Sequence, residues 1–139
     1  MGAPSSSSAY GSYEELVQDP QVDVIYVATP HSHHFDNCLL ALGAGKHVVC
    51  EKPFTVNAAQ TKILIEMARE KRLFLMEAVW TRFFPLSVEV RDMVKSGKLG
   101  EVKRVHAELN IASNPTVAYA DGKHRMVGGH GPAPRWIVC

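Results

Sequence analysis

The first 80 residues alternate between two hydrophobic patterns. Short apolar runs occupy residues 24–28, 48–50 and 73–76. Between them, apolar residues recur at the spacing of one helix face over residues 35–42 and 59–68. The continuous first run predicts a strand that is buried on both faces. The order strand, helix, strand, helix, strand predicts two right-handed βαβ units and therefore an α/β fold with a three-stranded parallel sheet.

Capping residues predict where the helices begin and end. Ser12 followed by Glu15 forms a capping box that starts a short helix before the first strand. Gly43 and Gly45 end the helix that follows that strand, because glycine tolerates the backbone conformation of a helix C-terminus. Asn57 caps the next helix. These signals agree with the periodicity and predict half of a doubly wound domain.

The pattern changes at Pro85. Apolar residues at helical spacing predict a helix that begins there and ends at Gly97. Residues 102–109 alternate between apolar and polar, which is typical of an antiparallel strand with one exposed face. We therefore expect a second domain of α+β type to begin at residue 85. Residues 110–139 have no clear period, and we expect irregular or disordered structure there.

Composition excludes several kinds of partner. The chain has 139 residues, of which 46% are hydrophobic and 21% charged, as in a globular protein of one domain or slightly more. Its 15 basic and 14 acidic residues leave a net charge of +1, too small to attract nucleic acid or an anionic membrane surface. No apolar stretch approaches the roughly 20 residues of a membrane span. Three cysteines without a C-x-x-C spacing indicate a reduced, cytoplasmic protein.

Lys52 is the strongest catalytic candidate. It follows the second apolar run, where a buried strand opens into the rim at which doubly wound sheets bind ligands, and Pro53 ends the strand there. A lysine that is partly desolvated at such a rim has a lowered pKa and can exchange a proton with a substrate hydroxyl. The alternative is an ordinary exposed lysine, which position alone favours.

Other polar residues follow the predicted strands at the same rim. The backbone N–H groups of the Thr29-Pro30 turn could face a ligand there, and Glu51 could accept a ribose hydroxyl or simply be solvated. Trp80 and Arg82 follow the third strand and could contact a ligand ring and an anionic group. The alternative for the aromatic residue is a place in a core between two domains.

Three histidines lie close together at positions 31, 33 and 34, and histidine is a common zinc ligand. Adjacent imidazoles cannot easily converge on one ion, and no further ligand set lies nearby at a suitable spacing. We therefore predict no metal site.

Three motifs in register resemble the Gfo/Idh/MocA oxidoreductases. They are Glu51-Lys52-Pro53, the preceding Thr29-Pro30-His31 turn, and the segment Trp80-Thr81-Arg82-Phe83-Phe84-Pro85. Within that family the chain is most similar to the branch of dimeric dihydrodiol dehydrogenases and NADP-dependent D-xylose dehydrogenases. The resemblance runs through residues 9–110, with a second short matching segment at residues 124–127.

The resemblance implies a dehydrogenase that transfers hydride to NADP, with NAD as the alternative cofactor. The donor would be a sugar, with D-xylose oxidised to D-xylonolactone, or the CH–OH group of a trans-dihydrodiol, and the enzyme would be a homodimer. Lys52 would be the catalytic residue beside the nicotinamide ribose. The resemblance implies that the cofactor is lined by Thr29, Pro30, His34, Glu51, Lys52, Trp80 and Arg82.

The serine-rich, non-periodic start of the chain and the resemblance together indicate how the chain is divided. We expect a disordered leader at 1–8, a partial dinucleotide-binding Rossmann domain at 9–84 that lacks its first βαβ part, the start of a C-terminal substrate domain at 85–127, and a divergent tail at 128–139.

The chain departs from the family pattern at two places. It contains no G-x-G-x-x-G fingerprint, which in this fold supplies the glycine turn under the dinucleotide pyrophosphate. His130 and Gly131 follow Gly128-Gly129 where the family continues to an Asp and a Tyr or His that supply its second catalytic group. We therefore expect a fragment with little or no activity of its own. The alternative is a catalytically inactive interaction module, or the product of a decayed gene.

Overall fold

The computed structural model describes residues 8–108, which form a three-stranded parallel sheet in the order β1-β2-β3 with helices between the strands. The elements are α1 (Tyr13–Gln18), β1 (Val24–Val27), α2 (His34–Gly43), β2 (His47–Cys50), α3 (Ala58–Glu70), β3 (Leu75–Glu77) and α4 (Pro85–Lys95), with 3-10 turns at His31–His33 and Trp80–Phe83. The predicted α/β fold with a parallel sheet is confirmed. Residues 1–7 of the expected leader and the whole tail lie outside the described residues.

The strand register brings three loops to one edge of the sheet. Val27 at the end of β1 lies opposite Cys50 at the end of β2, and Cys50 lies opposite Glu77 at the end of β3. All three strands run in the same direction, so their carboxyl ends meet at this edge. The loops that start at residues 28, 51 and 78 therefore leave the sheet side by side.

Only one face of the sheet is covered within the described residues. α2 packs against β1, β2 and α3, and the side chains of Ile25, Val27 and Val48 beneath the helices are buried. On the opposite face Val24 is 37% and Tyr26 43% exposed. The expectation that the first strand is buried on both faces is therefore wrong for this part of the chain. Two right-handed crossovers that run in the same direction place both helices on the same side of the sheet.

The predicted helix caps are present. The Ser12 side chain accepts a hydrogen bond from the Glu15 N–H at 3.1 Å, and the Glu15 carboxylate accepts one from the Gly11 N–H at 2.8 Å. The Asn57 side chain accepts from the Gln60 N–H at 3.0 Å and starts α3. After α2 ends, Gly45 has φ +81°, a left-handed conformation that glycine adopts without strain.

α3 is only partly covered, and the predicted bounds of the third strand are wrong. The apolar stripe of α3 is only partly buried, because Leu64 and Ala68 face the core whereas Ile63 is 48% exposed. The helix packs against α2 on one side only, so the outer edge of its stripe stays in solvent. The third strand spans Leu75–Glu77 rather than residues 73–76, because pairing with β2 begins at Leu75 opposite Val48.

The region after β3 has helical structure without a core. α4 begins at Pro85, as predicted, and Gly97 follows its end with φ +72°. No residue of α4 is buried within the described structure, and Leu86 is 75% exposed. Residues 102–108 do not form the predicted strand, because no neighbouring strand in the described residues lies beside them to pair with. Residue 109 of that prediction lies outside the described range.

No helix among residues 8–108 has the length and apolar composition needed to cross a membrane.

Candidate functional site

An open cleft of about 430 Å³ lies at the carboxyl ends of β1 and β2. This is the edge at which parallel α/β sheets bind their ligands, because loops from neighbouring strands diverge there. Five of the seven predicted site residues line the cleft, together with three further residues of β1 and the turn that follows it. The lining residues are Tyr26, Ala28, Thr29, Pro30, His31, His34, Glu51 and Lys52.

The β1 side of the cleft is a tight turn. Thr29 is 5% exposed, and its hydroxyl accepts a hydrogen bond from the Asn37 side-chain amide at 3.2 Å. The carbonyl of Pro30 accepts from the His33 N–H at 2.9 Å, which closes the 3-10 turn that leads into α2. The Thr29-Pro30 turn therefore lies at the rim, as its sequence position predicts.

Lys52 lies on the β2 side of the cleft, directly after the strand. The residue is exposed, and within residues 8–108 its ammonium group has neither an ion pair nor a hydrogen bond. Its backbone N–H donates to the Glu51 carboxylate at 3.1 Å, and its peptide bond to Pro53 is cis. The ammonium group is therefore available to a ligand in the cleft.

Glu51 uses both carboxylate oxygens. Oε2 accepts from the Lys52 N–H, and Oε1 accepts a short hydrogen bond from the Tyr26 hydroxyl on the neighbouring strand. This hydrogen bond, with partial burial as a smaller cause, raises the pKa of Tyr26 to about 12. Tyr26 was missed by sequence reasoning. The sequence did contain a signal, because Tyr26 is the one residue with a hydroxyl in the apolar run 24–28. A partly buried tyrosine O–H usually has a hydrogen-bond partner.

His34 lies beneath the cleft and is fully buried. Its Nδ1 is 2.9 Å from the Pro53 carbonyl oxygen, and its Nε2 is 2.9 Å from the Thr29 carbonyl oxygen. The imidazole thus connects the loop after β1 to the loop after β2. Both ring nitrogens already face backbone oxygens, so a cofactor contact by His34 stays a prediction.

The partly buried Glu77 and the buried Cys50 hydrogen-bond to the loop that carries Lys52. The Glu77 carboxylate at the end of β3 accepts from the Phe54 N–H at 2.9 Å. The Cys50 thiol donates to the Glu51 and Phe54 carbonyls at 3.5 and 3.7 Å. A hydrogen bond with Cys38 and burial raise the pKa of Cys50, so this thiol stays protonated and is unsuited to act as a nucleophile.

Trp80 and Arg82 do not line this cleft. They lie in the 3-10 turn after β3, where the Trp80 ring is 55% exposed and contacts the Phe84 ring edge to face with centroids 5.0 Å apart. No residue of this turn is buried among the described residues, so the alternative place in an interdomain core is not seen there. Their predicted role at the nicotinamide end stays a prediction.

No group of three or more histidine, cysteine, aspartate or glutamate side chains within residues 8–108 is arranged to hold a metal ion. Of the histidine cluster, His34 is engaged with backbone oxygens, and the His31 ring packs against it edge to face with centroids 5.5 Å apart.

A parallel sheet with helices between its strands and a cleft at its carboxyl edge is the arrangement of a Rossmann-type fold. The family model for Gfo/Idh/MocA, described as an oxidoreductase family with an NAD-binding Rossmann fold, matches residues 2–79. This chain belongs to that family, and the resemblance seen in its motifs is confirmed.

Individual dehydrogenases and oxidoreductases also match the chain. D-xylose 1-dehydrogenase (NADP(+)) of Hypocrea jecorina is 57% identical over 125 residues, which cover 87% of this chain and 32% of the relative. Trans-1,2-dihydrobenzene-1,2-diol dehydrogenase of Danio rerio is 49% identical over 104 residues, 75% of this chain and 31% of the relative. The crystal structure of an NAD binding oxidoreductase from Klebsiella pneumoniae superposes with a TM-score of 0.63 at 37% identity, covering 66% of this chain and 24% of that one. The chain thus spans about a third of the curated relatives' length.

Proposed function

We propose that this chain is the part of an NADP-dependent dehydrogenase that presents the catalytic lysine to the nicotinamide end of the cofactor. The substrate class is a sugar such as D-xylose, or a cyclic trans-dihydrodiol, oxidised at a CH–OH group. Family membership and the names of the two curated relatives support this reaction class, and NAD is the alternative cofactor. The observation that carries the proposal is the Lys52 ammonium group at the rim of the cleft, which has no partner among residues 8–108.

The residues of the cleft fit one half of a dinucleotide. A cleft of about 430 Å³ with the Lys52 cation at its rim suits a nicotinamide ribose and a substrate hydroxyl. The chain has no G-x-G-x-x-G turn for the pyrophosphate, so a dinucleotide bound here would lack the donors that such a turn supplies. When bound, the cofactor supplies the nicotinamide ring that accepts hydride.

Each residue of the rim has a role in this proposal. Lys52 accepts the proton of the substrate hydroxyl or polarises that oxygen. Glu51 is held by Tyr26 and by the Lys52 N–H, so its carboxylate orients the turn and offers its remaining lone pairs to a ribose hydroxyl. Thr29 and Pro30 border the same cofactor face.

Trp80 and Arg82 belong to the proposal on the strength of their motif. They follow β3, whose carboxyl end lies at the same edge of the sheet as the cleft. In the complete enzyme they would border the nicotinamide end.

The organisation of the longer protein is part of the same proposal. Residues 9–84 would form part of the dinucleotide-binding domain, and residues 85–127 would begin the substrate domain. The exposed apolar side chains of α4 support a further layer of structure over that helix. We propose a cytoplasmic homodimer, without nucleic-acid or membrane partners, in agreement with the near-neutral charge.

A catalytically inactive interaction module is the second candidate. Within the described residues β1 pairs with β2 only, so its outer edge carries unpaired backbone groups, and the open sheet face exposes Val24 and Tyr26. An edge of this kind can pair with a strand of another chain. The module and the enzyme differ in their affinity for NADPH.

Fluorescence titration of the purified chain with NADPH tests the proposal, with Lys52→Ala as the test variant and Lys62→Ala as the control. Lys62 lies on the exposed side of α3, where its side chain is 78% exposed. We expect saturable binding that Lys52→Ala weakens roughly tenfold, the usual effect of losing a charge-assisted contact, and that Lys62→Ala leaves unchanged. Absence of binding up to millimolar NADPH in a folded chain would contradict it and favour the interaction module.

A further inference from the structure

One peptide group next to the catalytic lysine is bonded at both of its polar atoms. The carbonyl oxygen of Pro53 lies 2.9 Å from Nδ1 of His34, and the N–H of Phe54 donates to Oε1 of Glu77 at 2.9 Å. These two atoms belong to the same peptide unit. The side chains that bond it come from the start of α2 and from the end of β3.

Both side chains are themselves held in place. The His34 ring is fully buried, and its Nδ1 and Nε2 lie 2.9 Å from the carbonyl oxygens of Pro53 and Thr29. A neutral imidazole has one N–H, so the ring donates to the Pro53 carbonyl in its Nδ1–H tautomer. Glu77 lies on a strand that pairs with β2, opposite Cys50. Its carboxylate is a charged acceptor, and hydrogen bonds to charged groups are roughly twice as strong as neutral ones.

We propose that His34 and Glu77 are positioning residues that lock the Pro53–Phe54 peptide and thereby fix the direction in which Lys52 projects into the cleft. Rotation of this peptide would break two hydrogen bonds at once and leave partly buried groups unsatisfied. A preorganised rim spares the cost of ordering the lysine when a ligand binds. The expected effect on cofactor binding rests on the proposed function. The fixed orientation of the Pro53–Phe54 peptide does not depend on it.

Glu77→Ala and Glu77→Gln in the full chain separate positioning from general stability. Glutamine keeps an oxygen that can accept the Phe54 N–H, and alanine does not. Amide hydrogen exchange measured by NMR reports directly on the hydrogen bond from the Phe54 N–H. We expect the Phe54 amide to exchange at least tenfold faster in Glu77→Ala and within about threefold of the parent in Glu77→Gln, because an opened hydrogen bond exposes its N–H to solvent. The amide of Leu64, on the buried face of α3, should exchange at the parent rate in both variants.

His34→Leu and His34→Gln test the other end of the peptide. Glutamine can still donate to the Pro53 carbonyl, so its variant should protect the Phe54 amide better than the leucine variant. Equal acceleration at Phe54 and Leu64 in the alanine and leucine variants would mean that both residues only support the fold, and it would overturn the inference. An unchanged Phe54 rate in folded Glu77→Ala would also overturn it.

NADPH affinity shows whether the hydrogen bonds to the Pro53–Phe54 peptide affect binding through Lys52. We expect Glu77→Ala to weaken binding about fivefold, as for the loss of one preorganising hydrogen bond, and to have no further effect in a Lys52→Ala background. Additive losses would contradict action through Lys52. If the parent chain binds no NADPH at all, the proposed function fails, and the exchange rates still decide whether the peptide is locked.

Discussion

The α2 and α4 helices carry the same kind of apolar pattern with opposite results. In α2 the side chains of Cys38, Ala41 and Leu42 are at most 1% exposed, because β1, β2 and α3 pack around the helix. In α4 no side chain is buried within the described residues, and Leu86 is 75% exposed. An amphipathic pattern specifies which face of a helix requires cover. Other elements decide whether that cover is present.

Leu42→Ala and Leu86→Ala compare the two helices most directly. Truncation at Leu42 should lower the free energy of unfolding by about 2–5 kcal/mol, because it removes fully buried methyl groups and leaves a cavity. Truncation at Leu86 should change it by less than about 0.5 kcal/mol, as for exposed sites. Urea unfolding of the two variants beside the parent chain measures both values. A large loss at Leu86 would show that α4 is covered in solution, for example by a second copy.

Gly45→Ala and Gly97→Ala place the same strain in the two regions. Both glycines have positive φ, at +81° and +72°, and an added Cβ would meet no atom within 4 Å at either, so the cost is purely conformational. We expect Gly45→Ala to lower the free energy of unfolding by about 1–2 kcal/mol. Gly97→Ala should leave the main urea transition unchanged, because α4 contributes no buried residue to the core formed by residues 8–108. Equal losses would show that α4 unfolds together with the sheet.

Asn57→Ala tests the cap of α3, a feature that α4 lacks. The Asn57 side chain accepts a hydrogen bond from the Gln60 N–H at 3.0 Å. Losing this bond should lower the free energy of unfolding by about 1 kcal/mol. Asn57→Ser keeps a capping oxygen, so its free energy of unfolding should stay within a few tenths of a kcal/mol of the parent value. Thermal unfolding followed by circular dichroism distinguishes the two variants. Equal effects would mean that the cap is not formed in solution.

The smallest effect should be a pH dependence at Tyr26. The Glu51 carboxylate raises the pKa of Tyr26 to about 12 from the ordinary 10, so the neutral phenol is favoured in the folded state. The resulting stability is complete below pH 10 and is lost as pH rises from 10 to 12. It should stay under about 1 kcal/mol, since exposed groups are screened by solvent.

Tyr26→Phe lacks this titration and is the matched control. Its melting temperature should fall less than that of the parent between pH 10 and pH 12. Parallel falls in the two proteins would contradict the hydrogen bond between Tyr26 and Glu51.

Much of this fold was predictable because its signals are local. The caps at Ser12 and Asn57 join residues only three positions apart, and both form as predicted. The order of strands and helices follows from periodicity and leads to the parallel sheet. The position of Lys52 at the rim follows from the apolar run before it and the proline after it.

The support of the site was not predictable in this way. The contact between His34 and Pro53 joins residues 19 positions apart, and the one between Glu77 and Phe54 joins residues 23 apart. Tyr26 reaches Glu51 only because β1 and β2 pair in the observed register. A shift of that register by one residue would turn Tyr26 to the other face of the sheet.

The sequence by itself determined the helix caps and the glycine helix ends of this protein, because their hydrogen bonds join near neighbours. It also determined the alternation of strands and helices and the place of Lys52 after the second strand, because periodicity along the chain specifies them. Only the tertiary structure decided that one sheet face is covered, and that His34 and Glu77 bond the same peptide beside Lys52. Those contacts depend on crossover direction and strand register, which bring distant residues together.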